Sequence, residues 1–126
     1  MHPEKLKRAL AQLGDERFDY LVRKVADFEE IWCLANEGWA SCADDSGQVA
    51  VPMWSEADFA AVCATGDWEG MRPKPIELVD FLDNWVPGMM RDNCMVAVFP
   101  TPSGRGVLVE ASHLGEALEE EKKQYE

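Results

Sequence analysis

Three short apolar runs separated by tight turn signals constrain this chain most. Ile31-Trp32-Cys33-Leu34-Ala35, Trp39-Ala40-Ser41-Cys42-Ala43 and Val49-Ala50-Val51-Pro52-Met53-Trp54 are divided by Asn36-Glu37-Gly38 and Asp44-Asp45-Ser46-Gly47. Runs of this length bounded by Gly, Asn and Asp read as strands, and such short connections suit antiparallel neighbours. The expectation is a three-strand meander. Pro52 cannot donate to a ladder, so the third strand should lie at an edge or end there. Residues 95–99 and 106–110 add a hairpin, turning through Pro100-Thr101-Pro102-Ser103-Gly104.

Around these strands, apolar residues recur at helical spacing. Leu6, Ala9, Leu10 and Leu13 form a first stripe, opened by Pro3 and closed by Gly14. Phe18, Leu21, Val22 and Val25 form a second behind an Asp15 cap, ending near Asp27-Phe28. Ser55-Glu56-Ala57-Asp58 resembles a capping sequence, with Asp in place of Glu or Gln, before Phe59, Val62 and Cys63. Thr65-Gly66 stops that helix. Residues 67–75 are polar, contain Pro73 and Pro75, and read as a loop before a strand stub at 76–78. Phe81, Leu82, Trp85 and Val86 mark another helix, ended near Pro87-Gly88. Ser112 opens the last, which carries Leu114, Ala117, Leu118 and Tyr125. The order is αα-βββ-α-α-ββ-α. Strands clustered as hairpins indicate α+β, with helices packed on an antiparallel sheet of about five strands. No linker interrupts the 126 residues, so one domain spans 1–126, with 1–14 a helical extension and 15–126 the core.

Asp and Glu number 24 against 12 Lys and Arg, for a net charge of −12. Such a surface repels phosphate backbones and anionic membranes, so neither nucleic acid nor membrane is an expected partner. The N-terminus lacks an apolar signal core, and the expected location is cytoplasmic. The charge is uneven. Lys5, Lys7, Arg8, Arg17, Arg23 and Lys24 outweigh Glu4, Asp15, Glu16 and Asp19, leaving residues 1–24 at +2 and the remainder at −14. An acidic face of this kind is solubilising, or docks a basic partner.

No complete catalytic or metal-ligating set emerges, and no cofactor is implied. His2 stands at the terminus and His113 in the first turn of a helix, a poor place for a cation. Cys33, Cys42, Cys63 and Cys94 lack zinc or redox spacing and read as small hydrophobes. Asp44-Asp45-Ser46-Gly47 is explained by turn chemistry, since no further acids follow at calcium-loop positions. Five tryptophans, Trp32, Trp39, Trp54, Trp68 and Trp85, stand out. Trp68, in the presumed loop between Asp67 and Glu69, is the best binding candidate. Trp54 and Trp85 complete the candidate set Trp68, Asp67, Glu69, Trp54 and Trp85. The preferred function is a non-catalytic interaction or regulatory module for a basic protein or peptide, recognised through cation–π contact and ion pairing. The alternative is a small-molecule or enzymatic domain with a Trp-lined, carboxylate-bearing cleft. Nothing here fixes an oligomeric state.

The first hairpin has two registers open to it. A two-residue turn at Glu37-Gly38 sets Cys33 opposite Cys42. A type I turn with Gly38 as a left-handed bulge instead sets Cys33 opposite Ser41, and suits Asn36-Glu37-Gly38 slightly better. Either way, Cys33 and Cys42 are expected to be close in space and unbonded.

Several landmarks together resemble a known family. They are Asp27-Phe28-Glu29-Glu30-Ile31-Trp32, Gly38-Trp39-Ala40, Pro52-Met53-Trp54, Cys63-Ala64-Thr65-Gly66-Asp67-Trp68, Phe81-Leu82-Asp83-Asn84-Trp85-Val86-Pro87-Gly88 and Val98-Phe99-Pro100-Thr101-Pro102. In this order they are similar to the domain of unknown function 2750 family of small bacterial proteins, over roughly residues 17–126. The resemblance implies one compact domain and no established activity, and no catalytic residue is carried over from it.

Overall fold

The computed structural model describes Glu4, residues 14–102 and residues 106–125; the stripe expected at Leu6–Leu13 lies outside the described residues, apart from its flank at Glu4. Helix α1 (Gly14–Phe28) is followed by β1 (Glu30–Ala35), β2 (Cys42–Ala43) and β3 (Val49–Met53). Then come α2 (Ala57–Val62), a 3₁₀ turn (Gly66–Trp68) and β4 (Arg72–Glu77). A composite helix joins α3 (Leu78–Asp80), a π-helical turn (Phe81–Trp85) and α4 (Val86–Arg91). Strands β5 (Met95–Val98) and β6 (Val107–Val109) precede α5 (Ala111–Lys122). The protein is α+β, as expected, but its strands form a pair β1-β4 and a sheet β2-β3-β5-β6.

The meander is therefore replaced. β1 pairs antiparallel with β4, the segment expected to be mostly loop. The prolines that suggested a loop sit opposite Trp32 (Pro75) and Leu34 (Pro73). Trp32 directs its N–H and C=O to the other side, exchanging hydrogen bonds of 2.8 Å each with Trp54, while the Leu34 carbonyl accepts from Ala40 N–H at 2.8 Å. In an antiparallel ladder the bonding groups alternate sides, so neither proline is asked for an N–H.

Pro52 has an analogous explanation. β3 is an interior strand, parallel to β5. On its other flank β2 pairs only with Val49 and Ala50, and β1 touches only Trp54. Pro52 falls in the gap between these two partners, where a missing donor costs nothing. The β1–β2 connection keeps the favoured register locally, through an Ala35–Trp39 bridge. Gly38 is not left-handed there; Asn36 Oδ1 accepts its N–H at 3.2 Å instead. Cys33 then pairs with Lys74 and Cys42 with Ala50, and neither is in a disulfide.

Three expected helix signals act differently. Glu56, not Ser55, is the N-cap residue of α2, and Ser55 is buried with its hydroxyl unpaired. Glu110, not Ser112, precedes α5. Pro87 does not end a helix. It sits in the first turn of α4, directly after the π turn, where its lack of an N–H is tolerated. The core joins Leu21 and Val25 of α1 with Leu114 and Leu118 of α5 against Val96 and Val98 of β5, all buried. Gly115 allows α4 close to α5, since a Cβ there would lie 3.3 Å from Val86 Cγ2.

Candidate functional site: a cleft beside Trp68

Register fixes the two faces of the four-stranded sheet. Met53, Val96 and Val98 face the core. Cys42, Ala50, Pro52, Ala97 and Leu108 alternate onto the opposite face, because Cys42 pairs with Ala50, Pro52 with Ala97 and Ala97 with Leu108. Mostly small residues on that face leave space beneath whatever covers it.

The cover is the segment from Cys63 to Trp68. Gly66, at φ +58°, turns the chain out of α2 as its sequence suggests, and Trp68 N–H bonds the Thr65 carbonyl at 3.0 Å. The Trp68 indole N–H donates to the Ser41 carbonyl at 3.1 Å. Its ring stands edge-on to that of Trp54, with centroids 6.1 Å apart and planes at 88°. Trp54 is wholly buried, and its indole N–H donates to the Pro100 carbonyl at 2.9 Å. The Cys63 thiol donates to the same oxygen at 3.3 Å.

The opposite wall, Pro100-Thr101-Pro102, is held at its base by Phe99. That residue adopts φ +52°, a costly conformation away from glycine. Its N–H bonds the Met53 carbonyl at 2.9 Å, and its buried ring packs 4.8 Å from Phe59 and 6.0 Å from Tyr20. Gly106 closes tightly on this turn, since any Cβ would meet the Val98 carbonyl oxygen at 2.5 Å.

Between these walls lies a cavity of about 420 Å³. Ala97, Leu108 and Cys42 contribute the floor, Trp68 and Cys63 one wall, and Pro100 and Pro102 the other. Two carboxylates mark its margin. Asp67 is exposed, whereas Asp44 Oδ1 accepts from Ser46 N–H at 2.9 Å, Ser46 Oγ at 2.6 Å and Gln48 N–H at 2.9 Å. That confirms the turn chemistry expected of Asp44-Asp45-Ser46-Gly47. Among the described residues, no cationic side chain lines the cleft. Burial pushes the Cys63 thiol up to about 11, against a smaller opposing effect of Trp54, so it stays protonated near neutrality. A protonated thiol is a weak nucleophile.

Of the residues singled out from sequence, Trp68 and Asp67 line the cleft, and Trp54 supports Trp68 from behind. Glu69 is exposed outside the lining. Trp85 is elsewhere, edge-on to Trp39 at 4.8 Å, with Lys74 Nζ 5.3 Å over the Trp39 ring. Sequence reasoning missed Cys42, Cys63, Ala97 and Leu108; the available signal was the small residues Ala50 and Ala97 within otherwise bulky strands. His113 stacks on Phe18 at 5.6 Å, away from the cleft residues. Among the described residues, no three His, Cys, Asp or Glu side chains cluster as metal ligands, and no helix is long and apolar enough to cross a membrane.

Fold and site define an α+β protein whose sheet is filled on one face and hollow on the other. The family model described as "Protein of unknown function (DUF2750)" matches residues 18–118, and the chain belongs to this family. No curated protein and no solved structure matches it.

Proposed function

We propose that the protein is a non-catalytic, cytoplasmic interaction module that seats a basic side chain of a partner protein or peptide in the cleft beside Trp68. The observation that carries this reading is an apolar cleft with Asp67 and Asp44 at its margin. A volume of about 420 Å³ lies in the range of ligand pockets, generally about 300–1,000 Å³. The aliphatic stem of Arg or Lys matches Leu108 and the prolines, while its charged head meets Trp68 and the carboxylates. The protonated Cys63 thiol favours binding over covalent catalysis.

Titration of tryptophan fluorescence with acetyl-Ala-Arg-Ala-amide tests this. A saturable change is expected, weakened at least fivefold by Asp67→Asn and absent with acetyl-Ala-Glu-Ala-amide. Equal binding of the norleucine peptide would replace this reading with that of a site for a neutral small molecule, which the apolar floor also suits.

A further inference from the structure

The β1–β4 pair has unlike ends. At one, Glu30 lies opposite Glu77, beside the exposed side chains of Phe28 and Val79, and Lys24 Nζ is 5.7 Å over the Phe28 ring. At the other, Ala35 lies opposite Arg72 on one side and bridges Trp39 on the other. Direct partners project to one face. Cys33 and Lys74 are partners two positions along, so Arg72, Lys74 and Trp39 share that face. The Lys74 ammonium agrees, 5.3 Å over the Trp39 ring. Trp85, the last residue of the π-helical turn, meets that ring edge-on at 4.8 Å. Such turns are frequent at functional sites. Trp39 nonetheless stays 39% exposed, high for a tryptophan.

The charge here runs against the trend of the chain. From Val25 to Met71 there are ten acids and no Lys or Arg. Arg72 and Lys74 then arrive together, and they are the only cations in the described strands. Both are exposed, and neither forms an ion pair among the described residues. The edge of β4 rules out one use of this end. Pro73 and Pro75 face away from β1, as Trp32 and Leu34 opposite them do. They offer carbonyls but no N–H, so an added strand could not complete a ladder there. Recognition is left to the side-chain face. That face carries two cations at alternate positions of one strand, roughly 7 Å apart along it, next to an exposed indole.

We infer that the surface formed by Trp39, Arg72 and Lys74 docks an extended acidic peptide segment of a partner protein. Two carboxylates at alternate positions of the peptide match the spacing of Arg72 and Lys74, and an apolar side chain on the same face of the peptide rests on Trp39. Arg72 gains a partner it lacks within the described chain, and Lys74 adds an ion pair to its contact with the Trp39 ring. A nucleic acid strand fits less well. Its run of phosphates brings more negative charge than two cations neutralise, against a protein of net charge −12. None of the three residues lines the Trp68 cleft, so the inference stands independently of the proposed function.

Chemical-shift titration of the full chain with acetyl-Glu-Ala-Glu-Ala-Leu-amide tests it, since an extended chain sets both Glu side chains and Leu on one face. The expected result is a saturable shift of the Trp39 indole and of the Arg72 and Lys74 amides, with the Trp68 indole fixed. Binding should weaken at least fivefold between 50 mM and 500 mM NaCl. The double variant Arg72→Gln, Lys74→Gln should weaken it at least tenfold, with the amide shifts of the core strands unchanged because both side chains are exposed. The peptide with Gln in place of both Glu should not bind. An unchanged Trp39 indole at millimolar peptide would overturn the inference, as would equal binding of the Gln peptide or shifts at Trp68 in place of Trp39. Tighter binding of octathymidylate than of the acidic peptide would also overturn it, because the surface would then serve a nucleic acid.

Discussion

The two faces of the four-stranded sheet show opposite uses of the same backbone. On one, Val96 and Val98 of β5 join Leu114 and Leu118 of α5, all buried. On the other, Ala97 lies between Cys42 and Leu108 under a half-buried Trp68, and a cleft remains. Adjacent residues of one strand thus face a packed region and a hollow one. The cleft arises where side-chain volume is withheld, while tryptophan hydrogen bonds keep its walls from collapsing inward.

The largest effects are expected at the supports of the two faces. Trp54→Ala should cost about 3–5 kcal/mol in urea unfolding, since a wholly buried ring and its hydrogen bond to Pro100 are both lost. Leu118→Ala on the packed face should cost about 2–5 kcal/mol. A loss below about 1 kcal/mol for Trp54→Ala would mean the cleft wall stands without it.

Alkaline titration sharpens the contrast next. Burial pushes the Cys33 thiol up to about 12, above its ordinary 9. Between those values the unfolded chain releases a proton that the folded chain keeps, so stability is intact below about pH 9 and declines as pH rises toward 12. The slope for one such group is about 1.4 kcal/mol per pH unit. Tyr20, pushed up to about 12 by burial and then by Glu56, adds a second loss beginning near pH 10. Urea midpoints at pH 8, 9.5 and 11 should show the decline, and Cys33→Ala should reduce the slope of its first part without removing it, because Cys63, pushed up to about 11, acts over the same range.

A smaller effect is expected where the sheet is hollow. Ala97→Leu should cost less than about 1 kcal/mol, because its new branches enter the cleft, and it should block peptide binding. A loss matching that of Leu118→Ala would show no usable space there. The smallest expected effect is none: with a net charge of −12, no duplex DNA binding tighter than about 100 µM should appear at physiological salt by fluorescence anisotropy.

What sequence disclosed was local. The end of α1 at Phe28, the turn organised by Asp44 and the exit from α2 at Gly66 depend on neighbours within a few residues. Trp68 was also legible, as a conspicuous aromatic beside acids between regular elements. The β1–β4 pairing was not, because Trp32 and Pro75 are 43 positions apart and proline normally argues against a strand. The exchange between Trp32 and Trp54 and the bond from Ala40 to Leu34 reveal which side of β1 bonds which neighbour. The cleft was hidden for the same reason. Ala97 and Cys42 carry no signal of their own until the β2-β3-β5-β6 order places them on one face.

In the proposed reading the hollow face, and not the packed one, receives a basic side chain. Amide and indole chemical shifts during titration with acetyl-Ala-Arg-Ala-amide test it most directly. Saturable shifts are expected at the Trp68 indole and at the Cys63, Ala97 and Leu108 amides, while Leu114 and Leu118 of α5 stay fixed. Shifts centred on Phe28 and Val79, or an unchanged Trp68 indole at millimolar peptide, would contradict it.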